Sequence, residues 1–151
     1  MLTAYIAAPL FNDAEKTYNL TVDAALQASG FTTYLPQRDG GEGAAMVAAG
    51  ADPVQVRQQL FTGDVNAVRR CDLLVMLLDG RVPDEGACVE LGLAYAWDKP
   101  CFGLQTDIRR FTDKSNNLMI DSILKRTAPT LDQLIAEINQ YLLALPVVAT
   151  Q

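Results

Sequence analysis

Glu90 lies in Asp84–Tyr95, a stretch that reads Asp-Glu-Gly-Ala-Cys-Val-Glu-Leu-Gly-Leu-Ala-Tyr. Almost every neighbour is small or apolar. A carboxylate in such surroundings is costly to bury unpaired, so it needs a partner, a cavity, or both. One helical turn back on the same face stand Gly86 and Ala87, which leave room for a substrate to approach. The competing reading is a glutamate at a helix rim with a solvated head. Of the 18 Asp and Glu in the chain, Asp64, Asp79, Asp84 and Asp107 are the further candidates beside it. Carboxylates in such number suit two kinds of chemistry. One is holding a hard cation such as Mg²⁺. The other is glycosyl transfer, in which one carboxylate attacks an anomeric carbon and another moves a proton. A tyrosine hydroxyl bonded to Glu90 would orient it and keep it ionised.

The 151-residue chain contains no histidine. That removes Ser-His-Asp and Cys-His catalysis and the commonest zinc sites. The net charge of −6 argues against a nucleic-acid partner. No apolar run is long enough to span a bilayer, so no membrane partner is expected. The first strand follows without a basic leader, so no signal peptide is expected. Three cysteines, Cys71, Cys88 and Cys101, lack metal-ligand spacing and suit a reducing, cytoplasmic setting.

The elements that must position these acids alternate in type. Leu2–Ala7 reads as a buried strand. Asn12 or Asp13 caps a helix running to about Ser29, with Leu20, Ala24 and Leu26 among its inward residues, and Gly30 ends it. Phe31–Leu35 is a short strand, and Pro36–Asp52 a long loop in which Gly43–Gly50 can form one helical turn. Asp52-Pro53 starts a helix that reaches about Arg70. Asp72–Asp79 is the central strand. The Glu90 helix follows and ends near Asp98, because Lys99-Pro100 stops it. Cys101–Gln105 is a fourth strand, and Thr106–Asn116 a polar loop carrying Arg109 and Arg110. Asn117–Leu124 is a short helix, and Thr130 caps a last helix to about Leu143. This order predicts a single-domain α/β fold, a Rossmann- or flavodoxin-like parallel sheet with helices on both faces. The domain covers residues 1–145, with 146–151 as a tail. Ligands in such folds bind beyond the carboxyl ends of the strands. That rim gathers Ala8–Phe11, Pro36–Gly41, Asp79–Asp84 and Thr106–Asn117. Tyr5 and the start of the Glu90 helix face it too.

No phosphate-cradling glycine motif follows the first strand, so a dinucleotide or nucleoside triphosphate is not expected. The motifs present are Tyr-Ile-Ala-Ala-Pro-Leu-Phe from Tyr5 to Phe11, Leu-Pro-Gln-Arg-Asp-Gly from Leu35 to Gly40, and the Asp72–Gly80 strand with its acidic ends. To these are added Asp84, Gly86, Glu90 and Ala94 at their spacing, Lys99-Pro100, and Asn-Leu-Met from Asn117 to Met119. In order and spacing the chain resembles the nucleoside 2-deoxyribosyltransferases up to about residue 143. The resemblance implies that Glu90 is a nucleophile forming a covalent 2-deoxyribosyl intermediate at C1′, with retention. It implies that Tyr5 orients Glu90, that Asp84 binds sugar, and that Asp64 passes a proton to the leaving base. Asn117 and Met119 would reach into a neighbouring subunit's site in a homo-oligomer, a dimer or a hexamer. Gln37, with Arg38 and Asp39, lies on the base-facing loop, and Phe11 and Gly86 complete the substrate-facing set. The substrates implied are deoxyribonucleosides and free nucleobases, with no metal and no cofactor. Two departures stand out. Ala8 replaces a glycine common in the first loop, and the 146–151 tail does not match.

Each residue also has a plainer reading. Asp84 and Asn117 could be helix caps, Asp64 a solvated acid, Tyr5 a core aromatic with a satisfied hydroxyl, and Met119 core packing. Three rival functions follow. One is an N-glycoside hydrolase of nucleoside 5′-monophosphates, for which Arg109 and Arg110 would supply phosphate contacts. Another is a non-catalytic nucleotide sensor on the same fold. The third is a Mg²⁺-dependent receiver-like domain with Asp79 as phosphoacceptor, which lacks an acidic pair after the first strand.

Overall fold

The computed structural model describes residues 1–41, 43–107 and 116–145. Arg109, Arg110 and the 146–151 tail lie outside the described residues. Five parallel strands form one sheet in the order β2-β1-β3-β4-β5. They are β1 (Thr3–Ala7), β2 (Thr32–Tyr34), β3 (Leu73–Leu77), β4 (Cys101–Leu104) and β5 (Leu124–Ala128). The helices are α1 (Asp13–Ala28), α2 (Pro36–Asp39), α3 (Gly43–Ala48), α4 (Pro53–Arg70), α5 (Glu85–Ala96), α6 (Leu118–Ile123) and α7 (Leu131–Ala144). The chain steps one way from β1 to β2 and then crosses back over β1 to β3. The carboxyl ends of β1 and β3 therefore form the switch point where such sheets bind ligands.

The period-two alternation of the strands divides the core into two layers. Ala4, Ile6, Leu73, Val75 and Leu77 face α1 and α7, meeting Val22, Leu26, Leu134 and Ile138. Tyr5, Ala7, Leu74, Met76 and Leu78 face the other way, against Ala67 and Val68 of α4 and Ala87, Leu91 and Ala94 of α5. β3 is buried at every position, as a central parallel strand must be. Gly103 of β4 has no side chain because none fits. A Cβ there would lie 2.9 Å from both Leu78 Cδ1 and Thr127 Oγ1.

The helix starts agree with the sequence. Asn12, Asp52, Asp84, Asn117 and Thr130 each accept a backbone N–H of the helix they begin. Four points differ. Residues 124–128 form a strand the sequence did not signal, because Lys125, Arg126 and Thr127 carry no apolar pattern. Residues 36–39 form a short helix where the sequence predicts open loop, whereas the helical turn expected within 43–50 is α3. α5 ends at Ala96, and Asp98 turns into the left-handed region at φ 58°. Finally, Leu26 is buried as expected, but Leu20 is 51% exposed and Ala24 is also exposed; α1 turns Asn19, Val22 and Asp23 inward instead. Asp23 is satisfied there. It accepts from Thr33 Oγ1 at 2.5 Å, Gln27 Nε2 at 2.9 Å and Arg38 Nη1 at 2.7 Å. This stitches α1 to β2 and α2. No helix among the described residues is long and apolar enough to cross a membrane.

Candidate active site

Tyr5 occupies the α4/α5 face of β1, so its ring runs beneath α5 toward Glu90. It is completely buried, and its hydroxyl donates to Glu90 Oε1 at 2.6 Å. β1 and β2 pair in parallel with Tyr5 opposite Tyr34. Two residues in register share a face, so the rings stack, with centroids 5.3 Å apart and planes 14° from parallel. The Tyr34 hydroxyl in turn donates to Asp64 Oδ1 of α4 at 3.1 Å. The result is a pair of stacked tyrosines, each holding one carboxyl group.

Both carboxyls are pushed up. Burial carries Glu90 from 4.5 to about 8 against the opposing Tyr5 hydrogen bond, and the charges of Asp64 and Asp84 add to the rise. This corrects one expectation. Tyr5 orients the carboxyl, yet its single hydrogen bond does not outweigh the lost hydration, so Glu90 is not held ionised. Asp64 is raised by burial, opposed by the Tyr34 hydroxyl, and is thus not a solvated acid. The phenols of Tyr5 and Tyr34 are both raised, first by burial and then by their carboxyl partners. Both stay protonated donors.

Beside the pair opens a cleft of about 610 Å³, lined by Leu10, Lys16, Leu20, Gln37, Leu60 and Asp64 among others. It is large enough for a nucleobase-sized ligand. Gly40 also lines it. A Cβ there would lie 2.8 Å from the Pro36 carbonyl oxygen and 3.4 Å from Asp64 Oδ1, so glycine lets this wall sit close to the carboxyl. Gln37 is held in place through both ends of its amide. Its oxygen accepts from Asn19 Nδ2 at 2.9 Å and its nitrogen donates to the Lys16 carbonyl at 2.9 Å. Asn19 also donates to the Pro9 carbonyl, tying the first loop to α1 and α2.

The remaining residues are placed as follows. Asp84 caps α5, its Oδ2 accepting from the Ala87 N–H at 2.8 Å, and a Cβ on Gly86 would come within 3.0 Å of that same oxygen. Phe11 is 77% exposed at the rim, its N–H donating to Glu15. Asn117 caps α6, its Oδ1 accepting from the Met119 N–H at 2.9 Å. Met119, at 71% exposure, is not core packing. Asp79 does not face the cleft chemistry as a bare carboxylate. It accepts from Thr106 Oγ1 at 2.6 Å and the Asp107 N–H at 2.7 Å, fastening two rim loops together. Among the described residues no three His, Cys, Asp or Glu side chains converge to hold a metal. The structure thus joins Tyr5 to Glu90 directly, brings Asp64 to them through Tyr34, and puts Gln37 in the adjoining wall. Sequence reading missed Tyr34, Asn19 and Gly40. Tyr34 would have been found only from the β1–β2 register.

Residues 4–125 match the family model described as nucleoside 2-deoxyribosyltransferase. No curated protein matches the chain in sequence. Among solved structures, a conserved protein from Enterococcus faecalis superposes with a TM-score of 0.79 at 28% identity, covering 93% of this chain and 99% of that one. A 2-deoxyribosyltransferase from Bacillus psychrosaccharolyticus superposes with a TM-score of 0.73 at 22% identity, covering 88% of this chain and 90% of that one. A CMP N-glycosidase from Clostridium botulinum shares the fold at a TM-score of 0.56 and 16% identity, covering 92% of this chain and 98% of that one. The matched span runs from β1 to the start of β5 and includes both tyrosine–carboxyl pairs, so the chain belongs to the nucleoside 2-deoxyribosyltransferase family.

Proposed function

We propose that this protein moves 2-deoxyribose between nucleobases through a covalent Glu90 intermediate. The observation that carries the reading is the Tyr5–Glu90 hydrogen bond of 2.6 Å, linked through the stacked Tyr34 to a second raised carboxyl, Asp64, which lines the rim cleft. Tyr5 occupies Glu90 Oε1; Glu90 gives its proton to solvent, and Oε2 of the resulting carboxylate attacks C1′. The C1′–N bond breaks, its electron pair passes to the base nitrogen, and Asp64 supplies the proton. The carboxylate face opposes an oxocarbenium-like carbon, stabilising it before bonding is complete. A second base then attacks C1′ from the vacated side and returns the proton to Asp64. Two inversions give retention. Asp84 Oδ1 takes a sugar hydroxyl while its Oδ2 stays fixed by the α5 cap. Gln37 borders the base, and Phe11 and Gly86 flank the sugar's approach.

The family name also supports deoxyribonucleosides and free bases as the substrates. We place Asn117 and Met119 in a neighbouring subunit's site, at the sugar's 5′ end. Leu118 and Met119 are 77% and 71% exposed in the single chain, which suits a face covered by a second copy. The free thiols Cys71, Cys88 and Cys101 fit a reducing, cytoplasmic setting. Hydrolysis is the second reading, favoured by the N-glycosidase that shares the fold. The first loop, Ala8-Pro9-Leu10-Phe11, offers neither Ser nor Arg to a 5′-phosphate, which favours an unphosphorylated sugar.

Incubation with deoxyinosine or thymidine plus free adenine, followed by chromatography, separates the readings. Deoxyadenosine formed in the wild type and abolished in Glu90→Ala supports transfer. Free deoxyribose formed independently of adenine means hydrolysis. A fully active Glu90→Ala refutes the mechanism. Mixed oligomers of Glu90→Ala and Asn117→Ala protomers regain activity if sites are shared; no recovery in verified mixtures refutes the sharing.

A further inference from the structure

The proposed reaction leaves one well-placed group unused. Tyr34 touches the nucleophile's partner and the proton donor at once: its ring stacks on Tyr5, and its hydroxyl donates to Asp64 Oδ1 at 3.1 Å. From this geometry we infer that Tyr34 is a positioning residue for leaving-group protonation, aiming Asp64 Oδ2 at the departing base and stabilising the carboxylate left behind. The inference rests on the function proposed above.

The chemistry favours this role over simple packing. Burial raises the Asp64 carboxyl, and while it carries its proton Tyr34 donates to an ordinary acceptor oxygen. As the glycosidic bond breaks, the base nitrogen takes the bond's electron pair and then the Asp64 proton. A negative charge develops on Asp64 in a half-buried position with little water to receive it. The Tyr34 hydroxyl is already directed at that charge, so its hydrogen bond becomes charge-assisted as the transition state forms. The phenol does not give up its own proton, because burial and the adjoining Asp64 raise it well above the usual tyrosine range. It therefore acts as a fixed donor. Its other contact secures geometry. Stacking on Tyr5 couples the position of the proton donor to that of the nucleophile, since each ring carries one carboxyl on its hydroxyl. The β1–β2 register that places Tyr5 opposite Tyr34 creates this coupling.

Tyr34→Phe keeps the stack and removes only the donor. The test compares two substrates in wild type and variant. Deoxyinosine loses a base that must be protonated, whereas N7-methyl-2′-deoxyguanosine already carries a cationic base that leaves without a proton. The expected result is a fall of about ten- to a hundredfold in kcat for deoxyinosine, the worth of one hydrogen bond to a charged group. The methylated substrate should lose less than about threefold. In an Asp64→Asn background, Tyr34→Phe should have no further effect on deoxyinosine. Equal losses on both substrates, or none on either, overturn the inference. If the wild type cleaves neither nucleoside, the proposed function has failed, and the inference is then judged on Asp64 alone. Its carboxyl carbon, followed by ¹³C NMR, should titrate at higher pH in Tyr34→Phe, with Tyr5, Glu90 and Lys16 unchanged around it. An unmoved titration overturns the role.

Discussion

Replacing Glu90 with glutamine should stabilise this protein, and the gain should grow with pH. Glu90 is carried from 4.5 to about 8, chiefly by burial. In the unfolded chain it loses its proton near 4.5, while in the folded chain it keeps it up to about 8. Between those values the folded state binds more protons than the unfolded one, so stability falls as pH rises through that window and levels off above it. At ~1.4 kcal/mol per pH decade, the ionised form costs the fold up to about 5 kcal/mol above pH 8. Glutamine does not titrate, and its carbonyl oxygen can still accept from the Tyr5 hydroxyl. Removing the charge also relieves its repulsion with Asp64 and Asp84, which acts in the same direction. The difference between variant and wild type should therefore be near zero around pH 4.5 and reach several kcal/mol by pH 8.5. For a chain of this size that raises Tm by roughly 10 °C. Paired thermal melts by circular dichroism from pH 4.5 to 9 measure it, and titrating groups not coupled to Glu90 cancel in the difference. A difference that does not vary with pH refutes the reasoning. A wild type that gains on the variant as pH rises would mean that Tyr5 holds Glu90 ionised after all.

Three further substitutions test the scaffold. Asp23→Ala leaves Thr33, Gln27 and Arg38 without their shared acceptor inside the α1–β2 seam and should cost about 2–4 kcal/mol in urea unfolding. Gly103→Ala drives a methyl against Leu78, Leu124 and Thr127 and should cost about 1–3 kcal/mol by calorimetry. Gly40→Ala forces the cleft wall away from the Pro36 carbonyl and Asp64, so KM for the base should rise several-fold while kcat at saturation changes little; an unchanged KM refutes the wall's role.

What the sequence disclosed follows from how local each signal is. Asp52-Pro53 announces α4 because a cap and a fixed φ act within one turn. Leu73–Leu77 reads as a central strand because burial on both faces leaves no polar residue in it. Glu90 could be singled out because nothing around it in the chain explains a charge. β5 escaped notice because an edge strand takes its identity from its pairing with β4, and Lys125 and Arg126 satisfy that pairing as well as valine would. The inward face of α1 was misjudged because counting apolar residues cannot see Asn19 and Asp23, whose burial depends on partners from β2, α2 and the first loop. Tyr34 depends on strand order and register together, and neither is a property of residues 31–35.

Asp23 and Glu90 show how a structural carboxylate differs from the one proposed to do chemistry. Both lie in the protein interior or at its edge, and both sit on helices packed against the sheet. Asp23 has a guanidinium at 2.7 Å and two further donors, so its charge is answered from three elements. Removing it should weaken the fold. Among the described residues Glu90 receives one hydroxyl and no cation, and the nearest charges are the acids Asp64 and Asp84. Removing its charge should strengthen the fold. Structural need cannot explain a carboxyl placed where it destabilises its own domain. Need for a reactive group beside a cleft can, because poor solvation of the carboxylate is what makes it a strong partner for a developing cation at C1′. The opposite signs expected for Asp23→Ala and Glu90→Gln therefore test the proposed role of Glu90 without any substrate. If both substitutions destabilise, Glu90 is a structural acid and the nucleophile must be sought elsewhere.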